Sequence, residues 1–107
     1  MRIAFAGTPE FAVPPLAALN SSRHHLVGVL TQPDRPAGRG RRLAASAVKE
    51  FAVAQGLTVA QPATLRTAEG RAALAAWQPD VLVVVAYGLI LPPEALAVPR
   101  LGCKINP

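Results

Sequence analysis

The stretch TQPDRPAGRGRRL, residues 31–43, holds four arginines, two prolines, two glycines and one aspartate. A guanidinium matches phosphate oxygens through two parallel hydrogen bonds, which a lysine ammonium cannot do. Arg35, Arg39, Arg41 and Arg42 are therefore candidates for phosphate contact. Pro33 and Pro36 stiffen the entry, Gly38 and Gly40 loosen the part with most of the charge, and mutual repulsion is expected to keep the loop mobile until an anion arrives. A solvated charged loop is the alternative reading of the same composition. No aromatic residue is interleaved with the arginines, so stacking on single-stranded bases is not indicated.

Two further stretches could meet a ligand. GTPEF, residues 7–11, follows an apolar run, but Pro9 and Ala12 stand where a dinucleotide fingerprint needs its second and third glycines. NAD binding is excluded, leaving a strand-to-helix turn with Thr8 as cap and Pro9 at the first helical position. That turn is either bare or an anion contact through its exposed amides. In VVVAYGLILPP, residues 83–93, Ala86, Tyr87, Gly88, Leu89, Ile90 and Leu91 could line a slot for a flat heteroaromatic ligand, or plug the core between strand and helix. Trp77 belongs to a buried helix face, and His24 and His25 sit in a turn with no catalytic role assigned. One cysteine and two adjacent histidines offer no zinc-like spacing, so no metal is expected.

These stretches need a frame. Apolar runs at 3–7, 26–30, 57–61 and 81–88 lack polar alternation, as strands buried on both faces do. Between them, Ala44, Val48, Phe51 and Ala52 form a helical stripe closed by Gly56, and a second helix is expected over 68–78, with Thr67 as N-cap and Pro79 as stop. A short helix starts near Pro92 and Pro93, and a last strand at Cys103. The pattern is α/β: a Rossmann-like open parallel sheet with right-handed crossovers and helices on both faces. Ligands bind such sheets beyond the carboxyl ends of the strands, which singles out loops 7–11, 31–43, 61–65 and 86–93.

A chain of 107 residues, 51% apolar and 5% aromatic, fits one folded domain over 1–107 with no second domain. Its net charge of +5 is almost wholly guanidinium, since Lys49 and Lys104 are the only lysines. The N-terminal apolar run breaks at Gly7, Thr8 and Pro9, too early for a signal or spanning segment, so a cytoplasmic protein is expected.

FAGTPEFAVP (5–14), TQPDRPAGRG (31–40), VKE (48–50), VVVAYGLILP (83–92) and PRLGC (99–103) together resemble the N-terminal part of the methionyl-tRNA formyltransferase family. The resemblance implies an incomplete formyltransferase fold and transfer of a formyl group from 10-formyltetrahydrofolate to the amino group of methionine on initiator tRNA. It implies that the basic loop 33–43, through Arg35, Arg39, Arg41 and Arg42, contacts tRNA, with Asp34 and Pro36 shaping the loop. It also implies that Ala86, Tyr87, Gly88, Leu89, Ile90 and Leu91 lie beside the folate's pterin. The alternatives are another folate-dependent formyltransferase, acting on glycinamide ribonucleotide or an amino sugar nucleotide, and a non-catalytic RNA-binding or assembly fragment.

The last residues depart from the family, which continues past Gly-Cys with Ile-Asn-Val-His and later supplies a catalytic Asp. Here the chain reads GCKINP: Asn106 is the candidate catalytic Asn, Lys104 is an apparent insertion, and Pro107 stands where an apolar residue precedes the His. Without His and Asp the polypeptide is expected to be a truncated copy, inactive alone. Its open sheet edge predicts self-association or exchange of elements between copies.

Overall fold

The computed structural model describes residues 1–106, without the side chain of Arg41. Five parallel strands, β1 (Arg2–Gly7), β2 (His25–Leu30), β5 (Val59–Ala60), β6 (Val81–Val85) and β7 (Cys103–Asn106), form one sheet in the order β5-β2-β1-β6-β7. A separate antiparallel pair, β3 (Arg35–Ala37) and β4 (Arg42–Ala44), rises between β2 and α2. The helices are α1 (Val13–Asn20), entered through a tight turn over Glu10–Ala12, α2 (Ala47–Ala54), α3 (Ala68–Trp77) and α4 (Pro93–Leu96).

Alternation along the buried strands builds two cores. Phe5, Val29 and Val85 pack with Leu16 of α1 and with Val48 and Ala52 of α2. On the opposite face Ala4, Ala6, Leu30, Leu82 and Val84 pack with Leu74 of α3 and Ala95 of α4. Burial on both sides explains why the strand sequences show no polar alternation. No helix among the described residues is long and apolar enough to cross a membrane, and no cluster of three or more metal-ligating side chains occurs among them.

Local signals set the helix ends. Ser46 Oγ accepts from Lys49 N at 3.0 Å, Thr67 Oγ1 accepts from Gly70 N at 3.0 Å, and Gly56 takes φ +71° after α2. The Arg2 guanidinium donates to the carbonyls of Trp77 and Gln78, placing a cation at the C-terminus of α3. Asp80 receives the Arg2 amide at 2.8 Å and Arg100 Nε at 3.0 Å, which holds its carboxyl below the usual range.

Four expectations are corrected. The third strand is only Val59–Ala60, because the Leu57 amide is already taken by the Ala52 carbonyl as the chain leaves α2. Thr8 caps nothing: its hydroxyl turns to the β6 loop, and Pro9 precedes the Glu10–Ala12 turn instead of occupying its first position. His25 lies within β2, not in the turn before it. The arginine segment is not an irregular loop; Gly38 at φ +67° and Gly40 at φ +80° let it fold back as a hairpin pairing Arg35 with Ala44 and Ala37 with Arg42.

Candidate functional site

Strand ends β1, β2, β5 and β6 meet in one polar network. Thr8 Oγ1 donates to the Tyr87 carbonyl at 2.7 Å and accepts from Gln32 N at 3.4 Å. Gln32 Nε2 donates to the same Tyr87 carbonyl at 2.9 Å. Gln61, just past β5, donates through Nε2 to the Gln32 carbonyl at 3.2 Å and to Asp34 Oδ1 at 2.7 Å. Buried Thr31 shares a 2.6 Å hydrogen bond with Ser46, tying β2 to the start of α2.

At the hairpin base, Lys49 Nζ reaches both Asp34 oxygens at 3.1 and 3.0 Å. The Gln61 hydrogen bond, with Lys49 adding to it, holds the Asp34 carboxyl below its ordinary pKa. Asp34 is therefore spent on α2 and β5 rather than on its arginine neighbours. Arg35 donates through Nε to Gln32 Oε1 at 3.1 Å, and through Nη2 to the same oxygen. Arg39 and Arg42 are exposed and pair with no carboxylate among the described residues. The Arg41 side chain lies outside the described part of the structure, and so does Pro107.

A cavity of about 320 Å³ opens between the connections leading into α3 and α4, lined by Ala63, Thr64, Arg66, Gly88, Leu89 and Ile90. That volume lies at the lower end of small-molecule pockets, which run from roughly 300 to 1,000 Å³. Of the six residues expected beside a flat ligand, Gly88, Leu89 and Ile90 reach the cavity. Ala86 turns the chain in a left-handed conformation at φ +52°. Tyr87 is 2% exposed, its ring in the core and its phenol pushed up to about 12 by burial, and its hydroxyl has no partner among the described residues. Leu91 packs against the same core.

Asn106 is exposed at the end of β7, opposite Val85. Cys103 pairs with Leu82 and packs on the α3–α4 face, so alternation puts Lys104, opposite Val83, and Asn106 on the α1–α2 face. By that alternation Asn106 faces the layer opposite the one that holds the cavity.

Sequence reasoning missed Gln32, Lys49, Thr64 and Arg66. Thr64 and Gln32 fall inside the loops 61–65 and 31–43 singled out by strand-end logic, with Arg66 one residue beyond the first, but nothing local marks Gln32, whose partners besides Arg35 are Thr8, Gln61 and Tyr87, far along the chain.

A sequence model of the formyl transferase family matches residues 1–106. The chain is 62% identical over 103 residues to methionyl-tRNA formyltransferases of Pseudomonas paraeruginosa, Methylococcus capsulatus and Pseudomonas putida, with 96% of this chain and 33% of each relative covered. The chain thus spans about a third of the length of the curated relatives it matches.

Proposed function

The chain belongs to the formyl transferase family, and on that premise we propose that it is the N-terminal part of a methionyl-tRNA formyltransferase acting in the cytoplasm. The whole protein moves the formyl group of 10-formyltetrahydrofolate to the amino nitrogen of methionine on initiator tRNA. One observation carries the reading: a cavity walled by Gly88, Leu89 and Ile90 opens at the same sheet end from which the arginine hairpin springs. Leu89 and Ile90 offer apolar walls to a pterin, while Arg35, Arg39, Arg41 and Arg42 offer guanidinium groups to tRNA phosphates.

In the reaction the amine nitrogen bonds to the formyl carbon, the bond from that carbon to the folate nitrogen breaks, and the proton given up by the amine is matched by one taken up on the departing folate nitrogen. Acceleration needs a base for that proton and donors for the developing oxyanion. The cavity walls carry neither carboxylate nor imidazole, and Asn106, the candidate catalytic residue, faces the other layer. Residues 1–107 alone are accordingly expected not to transfer the formyl group. The β7 edge, with Ile105 58% exposed, favours pairing of this polypeptide with a second copy; a strictly monomeric sedimentation profile at micromolar concentration argues against it.

The decisive experiment grafts the 103 matched residues in place of the corresponding segment of the Pseudomonas putida protein. Retained formylation of methionyl initiator tRNA, within about tenfold of the parent (about 1.4 kcal/mol), is expected. A folded graft that formylates glycinamide ribonucleotide or an amino sugar nucleotide instead would overturn the reading.

A further inference from the structure

We propose that Gln32 is a positioning residue for the cavity's ligand, acting through the Tyr87 carbonyl on the wall formed by Gly88, Leu89 and Ile90. Only the identity of the ligand as a folate rests on the function proposed above.

Gln32 does not line the cavity, yet its side chain bridges the two candidate regions. Oε1 faces the donors of Arg35 in the hairpin, with Nε at 3.1 Å, and Nε2 faces the Tyr87 carbonyl at 2.9 Å. This fixes the amide's orientation, because the flipped amide would set oxygen against a carbonyl and NH2 against a guanidinium. Thr8 Oγ1 takes the second acceptor position on the Tyr87 carbonyl at 2.7 Å.

The loop needs such anchors. Ala86 at φ +52° and Gly88 at φ +90° flank Tyr87, and a non-glycine residue persists in the left-handed region only where its surroundings over-determine it. The Gln32 amide also occupies the space that a Cβ on Gly88 would need, so it lies against the backbone where the chain turns into the cavity wall. Losing the Nε2 donor leaves the carbonyl between the two left-handed positions held by the Thr8 hydroxyl alone, and the wall shifts.

Two variants of the chain test this: Gln32→Leu, which removes the donor, and Gln32→Glu, whose carboxyl donates to the Tyr87 carbonyl only when protonated. The probe is 5-formyltetrahydrofolate, titrated at about pH 7.5, where a glutamate carboxyl is charged, and at about pH 4.5, close to the ordinary glutamate pKa of about 4.3, where a substantial fraction is protonated, with hydrogen exchange of the amides of residues 88–90 as a ligand-free readout. At the higher pH both variants are expected to bind up to about tenfold more weakly, the upper end of the net contribution of one hydrogen bond, and to exchange the 88–90 amides faster. At the lower pH Gln32→Glu regains about threefold of that loss, in keeping with its partial protonation, while Gln32→Leu regains none. A merely structural role would not produce that pH dependence. Gln32→Leu with unchanged affinity and unchanged exchange overturns the proposal. Failure of the unaltered chain to bind the probe removes the folate reading instead, and the exchange rates then decide the role of Gln32 alone.

Discussion

The indole of Trp77 fills the place where a side chain on Gly28 would stand. Gly28 lies opposite Ala4, just past the one-residue bulge that makes β2 slip against β1 between Ile3 and Ala4. A methyl there must displace packed ring atoms, so Gly28→Ala should lower stability by about 1–3 kcal/mol, read as a reduced urea midpoint at unchanged slope. Shrinking the ring with Trp77→Leu should make the same glycine substitution cost less than it does in the parent, and independent, additive losses would reject the pairing of ring and glycine.

Thr8→Val keeps shape and removes one donor to the Tyr87 carbonyl. A loss of about 1 kcal/mol is expected by thermal unfolding, with Gly88→Ala costing more, since alanine must adopt φ +90° and overlap the Gln32 amide. Equal stability of the two variants would contradict this order.

For the proposed tRNA interface, replacing Arg35, Arg39 and Arg42 together with alanine should weaken tRNA binding and flatten its dependence on log salt by roughly 0.7–0.9 for each phosphate that the hairpin no longer neutralises. Filter binding from low to moderate salt reads both quantities. Unchanged affinity at low salt would remove the hairpin from the interface.

Asp34 and Asp80 have folded pKa values below the ordinary 3.8 of an aspartate. A carboxyl depressed by folding adds stability above its unfolded pKa and loses it as pH falls through the folded value. Stability should therefore be flat near neutrality and decline below about pH 4. Asp34→Asn should show a shallower acid decline than the parent when urea midpoints are compared at about pH 7 and about pH 3, on either side of that onset; parallel declines would dissociate Asp34 from acid stability.

The layered sheet was legible because its strands are buried on both faces, and periodicity and caps placed α3 to within a residue of its ends at Ala68 and Trp77. The hairpin was not, because Arg35, Pro36 and Ala37 have little strand propensity and their pairing depends on glycines that read locally as looseness. Leu89 and Ile90 were readable as an apolar strand-end loop, whereas Tyr87, read with them as slot lining or core plug, has its ring in the core. Hydrophobicity cannot say which of six consecutive residues turns inward. The face of Asn106 was equally hidden, since it is fixed by register against β6.

Asp34 neutralises Lys49, so the hairpin's guanidinium groups go undiluted by the one acidic residue in their own segment. The kinetic consequence is a long-range attraction that orients an approaching polyanion before the two surfaces touch, over a Debye length of about 8 Å in physiological salt. Encounter with nucleic acid at this end of the molecule should accordingly speed up as ionic strength is lowered.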